Sequence, residues 1–302
     1  MSAMITELLQ QLKKIVSNRM FKKEAMKKPI RFLIENSSLS DGDLQATHAG
    51  NLGDIVFSCL FLKSFWQSTG KKIKLHLQTN VPTEYCVEHP LKNIHMDKRG
   101  AEQLVPLLLA QPYVSEVTYG ECQLHQIELD LNLFRHLPIN LCTGLIQGWQ
   151  QLCTNIWLNV FDPWIEAKTL QEYEKTIVIS RTARLRSDYI SYQFLDEFAE
   201  QLLFIGLPQE CERFKEETGI ECAYLTVDNF HLLADILNSC HLFIGNQGFL
   251  YTLAESVKCP RVLESNSIAP NNYPMSSNGR IALFQDSFEH FVKSMIQGKK
   301  KS

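Results

Sequence analysis

The chain has 302 residues, more than one domain usually holds, so two domains of about 130–150 residues each are expected. Its 45% hydrophobic and 21% charged residues describe an ordinary globular protein and exclude extended disorder. Thirty basic against 33 acidic residues leave a net charge of -3, so no general field draws in a polyanion and nucleic acid is excluded as a partner. The nine cysteines (59, 86, 122, 142, 153, 211, 222, 240 and 259) are scattered and never form a Cys-x-x-Cys pair. That spacing argues against a disulfide framework or a zinc site and for reduced thiols in a cytoplasm. No run approaches the roughly 18 apolar residues of a membrane span, and the start lacks the basic-then-apolar order of a signal peptide.

In chain order, residues 1–29 carry Ile5, Leu8, Leu9, Leu12 and Ile15 at helical spacing, then Lys22, Lys23, Lys27 and Lys28. This is the pattern of an amphipathic helix with a basic end, which either packs on its own protein or lies against an anionic membrane. Ile30 to Ile34 reads as a strand. The stretch from Leu44 to Ser58 reads as a strand, a loop bracketed by Gly50 and Gly53, and a helix carrying Ile55, Val56, Cys59, Leu60 and Leu62. Asp54 stands at the opening of that helix, where a carboxylate caps free N–H groups and is favoured by the dipole. His48, at the end of the strand, is a further candidate, beside the plainer reading of a hydrogen-bonded structural histidine, and Asn51 and Gly53 complete the loop.

Ile73 to Gln78 alternates as a strand, Gly100 to Ala110 reads as a short helix containing Pro106, and Val114 to Tyr119 and Glu128 to Leu133 as further strands. Asp130, Asn132, Arg135 and His136 follow at the carboxyl edge of this sheet, where open α/β folds bind ligands; an ordinary loop surface is the alternative. Leu141 to Leu158 reads as a helix stopped by Pro163, and Glu166 to Lys175 as a linker. The expected organisation is a helical extension at 1–29, one α/β domain at 30–165 and a second at 166–302.

The second domain opens with Thr176 to Ser180, a continuous apolar strand suited to a buried parallel sheet. Arg181, Arg184 and Arg186 follow it, a directional set of donors suited to phosphate oxygens, with a solvated basic loop as the alternative. Helix at Tyr192–Leu202, strand at Leu203, helix at Gln209–Thr218 ended by Gly219, strand at Cys222–Val227 and helix at Asn229–Cys240 alternate as in a doubly wound sheet. His241 to Ile244 is then a strand, Gly245 to Gly248 a tight turn and Leu250 onward a helix, so unpaired N–H groups point at whatever sits above the turn. Arg261 to Leu263 and Ile281 to Phe284 close the sheet. Glu264 is placed to accept ribose hydroxyls, and Phe288 to Ile296 forms the last helix before Lys299, Lys300 and Lys301.

The run from Gly245 to Ala254 resembles the nucleotide-sugar-binding turn of the ADP-heptose:lipopolysaccharide heptosyltransferase family, which typically reads Gly-Asn-Asp-Ser-Gly-Pro-Met-His-Leu-Ala. Gly245, Asn246, Leu253 and Ala254 agree; Gln247 replaces the acid, Phe249 the second glycine and Thr252 the histidine. Gly53-Asp54 resembles that family's first loop, and the likeness implies Asp54 as general base. It implies an α/β chain of two Rossmann-like domains facing a cleft (the GT-B arrangement), and a glycosyltransferase that works by direct displacement with inversion. No metal or cofactor is implied, since N–H groups and guanidinium absorb the leaving-group charge. The expected substrate contacts are His48, Asn51, Gly53, Arg181, Arg184, Arg186, Gly245, Asn246, Gln247, Gly248, Thr252 and Glu264. A nucleotide-sugar donor and a glycan or lipid-linked acceptor are the expected partners, in the cytoplasm, with residues 1–29 suited to the inner face of a membrane. Gln247 and Thr252 leave open a relative that binds a nucleotide or glycan without transfer. Neither glycine loop spells Gly-x-Gly-x-x-Gly, which counts against an NAD enzyme.

Overall fold

The computed structural model describes residues 41–85, 89–121, 127–132, 156–266 and 272–298. The expected helix within 1–29, the strand at 30–34, Arg135, His136, most of the 141–158 helix and Lys299–Lys301 lie outside these residues.

Two parallel sheets organise the chain. In the first, β1 (Leu44–His48), β2 (Ile73–Gln78), β3 (Val114–Gly120) and β4 (Leu129–Asp130) lie in the order β3-β2-β1-β4. The helices α1 (Leu52–Thr69) and α2 (Lys98–Leu109) connect them. The second holds β5 (Ile177–Ser180), β6 (Leu202–Ile205), β7 (Ala223–Leu225), β8 (Leu242–Asn246), β9 (Arg261–Glu264) and β10 (Gly279–Ala282) in the order β10-β9-β8-β5-β6-β7. Its helices are α3 (Pro208–Thr218), α4 (Phe230–Ser239), α5 (Phe249–Val257) and α6 (Gln285–Gly298). Counted within the lobe, this is the 3-2-1-4-5-6 order of a dinucleotide-binding sheet, with its switch point between β5 and β8. The expected helix at 192–202 forms instead as a 3-10 helix, Gln193–Gln201, and the expected strand at 128–133 shrinks to two residues.

The sequence explains the ends of these elements. Gly70 takes φ 74° at the close of α1 and returns its N–H to Trp66 O at 2.7 Å, the left-handed cap that glycine adopts without strain. Asn229 opens α4 by accepting from the N–H groups of His231 and Leu232. In β5 the period of two sends Val178 to the face toward the first sheet and Ile177 and Ile179 to the opposite face, so both sides of the strand are buried.

The lobes do not meet as separate spheres. A single apolar cluster runs from Leu44 and Leu75 of the first sheet through α1 and α5 to Phe243 and Leu263 of the second. Helix α1 is buried almost all round, from Ile55 to Phe65, because a sheet covers one side and the other lobe's α5 the other. The crossing segment tightens this seam. Trp164 is fully buried, donates from Nε1 to Val56 O (2.9 Å), and receives the Tyr113 hydroxyl on its own carbonyl (2.8 Å). The backbone N–H groups of Trp164 and Ile165 both reach Ser256 O in α5. Below, Glu255 pairs with the buried Lys258 and Arg261, and Lys258 Nζ lies 4.5 Å from the centre of the Trp164 ring system. No helix among the described residues is long and apolar enough to cross a membrane.

Candidate functional site

Both glycine-kinked helix openings face the space between the lobes. The loop after β1 engages three consecutive backbone N–H groups: Ala49 donates to Asn132 Oδ1 (2.7 Å), Gly50 to His48 Nδ1 (2.8 Å) and Asn51 to Asp54 Oδ2 (3.3 Å). Asp54 thus closes the first turn of α1, as its position in the sequence requires. His48 is fully buried; because its Nδ1 accepts from Gly50, its Nε2 carries the proton and donates to Ser58 Oγ at 3.0 Å.

The opening of α5 lies directly across. A β-carbon added to Gly53 would stand 3.1 Å from Thr252 Oγ1, so the two helices touch at their first turns. Thr252 is buried and donates its hydroxyl to Gly248 O (3.2 Å). The first N–H groups of α1 and α5 have no acceptor within their own helices, and two helix dipoles point their positive ends at one space. Gly245 is required by a closer approach: a β-carbon there would meet Ser180 O at 2.3 Å, at the switch point of the sheet.

The arginine loop rests on Asn246. That side chain is buried; its Oδ1 accepts from Thr182 N–H (2.9 Å), and its Nδ2 donates to Thr182 O (3.0 Å) and Arg184 O (2.7 Å). The three arginines then separate. Arg181 is 8% exposed and held by Glu264 (3.0 Å), Glu217 (3.1 Å), Ser187 O and Ile190 O. Arg186 pairs with Glu217 at 2.5 Å. Arg184 alone turns into the cleft, its Cζ 5.9 Å from the ring centre of Tyr85 in the other lobe, with no ion pair among the described residues. Burial lowers its pKa, and Tyr85, Glu210 and Asp54 pull it back up.

No family model and no curated protein matches the chain. Solved structures are similar. The glycosyl transferase family 9 structure from Veillonella parvula DSM 2008 is 14% identical, aligns over 87% of this chain and 90% of its own, and gives a TM-score of 0.53. The E. coli ADP-heptose lps heptosyltransferase II is 10% identical over 85% of this chain and 99% of its own, with a TM-score of 0.54. The E. coli heptosyltransferase WaaC with ADP is 10% identical over 84% and 99%, with a TM-score of 0.57. The chain shares the fold of these structures, two Rossmann-like lobes in the GT-B arrangement.

Within that fold the expected site residues take different places. Asp54, Asn51, Gly53, Gly248, Thr252 and Arg184 converge on the cleft. His48, Gly245 and Asn246 lie beneath it and hold its loops, and Gln247 is half-buried beside the α5 opening. Two expectations are corrected. Glu264 is fully buried and accepts from Arg181, Ser187 N–H and the Tyr192 hydroxyl, so it is an internal anchor rather than a ribose acceptor. Arg181 is the cation of that same anchor and Arg186 is paired with Glu217, so of the three expected arginines Arg184 alone has no ion pair among the described residues.

Sequence reasoning also missed a cluster on the first lobe. Tyr85 and His89 stack at 4.0 Å with 9° between their planes, and the His95 ring meets Tyr85 edge-on at 6.2 Å. Burial lowers the His89 pKa to about 4, assisted by the charges of Arg184 and His95. The residues between β2 and α2 have no hydrophobic period that would have drawn attention to them. Asp41-Gly42-Asp43 is an Asp-x-Asp sequence, but it precedes β1 at the amino edge of the sheet, where Asp43 accepts from Ser115 Oγ (2.6 Å). Among the described residues no three His, Cys, Asp or Glu side chains gather as a metal site.

Proposed function

We propose that the chain is a metal-independent, inverting glycosyltransferase that moves a sugar from a nucleotide-sugar donor to a glycan or lipid-linked acceptor, in lipopolysaccharide or glycan biosynthesis. The observation that carries this reading is the meeting of two helix N-termini, at Gly53 and Thr252, beside the cleft-facing Arg184. The donor's diphosphate lies over the α5 opening, where the N–H groups of Phe249 and Leu250 and the Arg184 guanidinium take up charge as it leaves. Asp54, at the opposing opening, removes the proton from the acceptor hydroxyl as that oxygen attacks the anomeric carbon, and attack opposite the leaving group inverts the centre. The similar E. coli structures named for ADP and ADP-heptose make an adenosine diphosphate sugar the first donor to test.

Residues 30–165 then form the acceptor domain and 166–302 the donor domain, with the chain in the cytoplasm and residues 1–29 reaching the inner face of a membrane. Thermal shift with UDP-, GDP-, ADP- and CMP-sugars identifies the donor, and transfer or donor hydrolysis is then compared with Asp54→Asn. A stabilising donor with activity lost in Asp54→Asn supports the reading. Stabilisation without turnover favours a binding relative instead, and an equally active Asp54→Asn removes Asp54 as base.

A further inference from the structure

Tyr85 touches both halves of the site. Its hydroxyl donates to Asn51 Oδ1 at 2.5 Å and lies 3.1 Å from Ile94 O, and His95 Nδ1 stands 3.4 Å from the same Asn51 oxygen. Asn51 is the residue whose N–H holds Asp54 Oδ2. The Tyr85 ring, oriented by the stacked His89, faces the Arg184 guanidinium from the other lobe. One side chain therefore contacts the group that anchors the carboxylate and the cation that faces the donor.

We propose that Tyr85 is a positioning residue with two separable parts: its hydroxyl sets Asn51 and through it Asp54, and its ring seats Arg184 across the cleft. The inference rests on the reading of Asp54 as base and Arg184 as diphosphate ligand. The hydroxyl bonds Asn51, the residue that caps the helix carrying Asp54. A guanidinium over an aromatic face gains about 0.5–1 kcal/mol at an exposed site and more when desolvated, and the flat ring also restricts where Arg184 can point.

The two parts are separated by Tyr85→Phe, which keeps the ring and removes the hydroxyl, and Tyr85→Leu, which removes both. Affinity for inorganic pyrophosphate, measured by calorimetry, and turnover of ADP-heptose are the readouts, with melting curves to confirm that each variant folds. Tyr85→Phe is expected to lower kcat about 10-fold with KM and pyrophosphate affinity within twofold of wild type. Tyr85→Leu is expected to weaken pyrophosphate binding about 5-fold as well. Tyr85→Phe added to Asn51→Ala should cost little beyond Asn51→Ala alone, which already removes the oxygen that the hydroxyl bonds, along with that oxygen's contacts to the Asp54 N–H and His95. Wild-type kcat in Tyr85→Phe, or additive effects of the two changes, overturns the hydroxyl's part. If the wild type turns over no ADP-heptose, that failure belongs to the functional reading, and pyrophosphate still decides the ring's part: weaker binding in Tyr85→Leu alone supports it, and equal binding in all three proteins overturns it.

Discussion

Gly53 of α1 and Thr252 of α5 meet so closely that a β-carbon on the glycine would lie 3.1 Å from the threonine hydroxyl oxygen. Thr252 is buried, so it has little room to yield. Gly53→Val should therefore wedge the two helix openings apart, costing about 1–3 kcal/mol in chemical denaturation and weakening pyrophosphate binding at least 10-fold. Thr252→Ala in the same chain should recover part of both losses, because it removes the atom that the new side chain strikes.

The three arginines of the 181–186 loop should respond in three ways. Arg181→Ala leaves the buried Glu264 carboxylate without its cation and should cost about 3–5 kcal/mol of stability. Arg186→Ala breaks a partly exposed pair with Glu217 and should cost less than about 1 kcal/mol. Arg184→Ala should leave the melting temperature near wild type and weaken pyrophosphate affinity about 10-fold or more. Equal loss of affinity in all three would restore the three-arginine clamp.

Asn246 should behave as a support for that loop. Asn246→Asp keeps an acceptor for Thr182 N–H but loses the donors to Thr182 O and Arg184 O. Thr182 O is then left unpaired, at a cost of about 1–3 kcal/mol at most, while Arg184 O keeps the Thr182 hydroxyl (2.9 Å), and the loosened loop should bind pyrophosphate more weakly. Stability and affinity are therefore expected to fall together, unlike in Arg184→Ala.

His89 gives the site a pH signature. With its pKa lowered to about 4 from the ordinary 6.5, by burial first and then by Arg184 and His95, the imidazole stays neutral at pH 6. Between pH 6.5 and about 4 the unfolded chain takes a proton that the folded one refuses, so folding stability falls as the pH drops through that window and changes little above it. An imidazole NMR titration should place the midpoint near 4, and pyrophosphate beside Arg184 should raise it. In His89→Gln that share of the acid sensitivity disappears.

The parts of the fold that were legible share a local cause. Gly53 and Gly245 sit where a strand must turn into a helix, Asn229 and Gly219 are local helix ends, and the apolar run at 177–179 is continuous because both faces of β5 are covered. What stayed hidden depends on partners far along the chain. Arg181 reads as a phosphate ligand until Glu264 is placed on it by the adjacency of β5, β8 and β9. Lys258 takes φ 59° at the end of α5, where glycine would be the local choice. The departure makes sense only with Glu255, Val160 O and the Trp164 ring in view. The Tyr85 cluster combines two imidazoles from its own loop with an arginine from the other sheet, and no spacing rule joins them.

Because apolar packing runs unbroken from β1 to β9, neither sheet is a module that could be excised. A lobe produced alone would present the bare flank of α1 or α5 to water, and a hybrid with a foreign partner lobe would need side chains cut to the same seam. Heating should accordingly melt both sheets in a single transition, with the emission of buried Trp164 changing in the same temperature range as the helical signal.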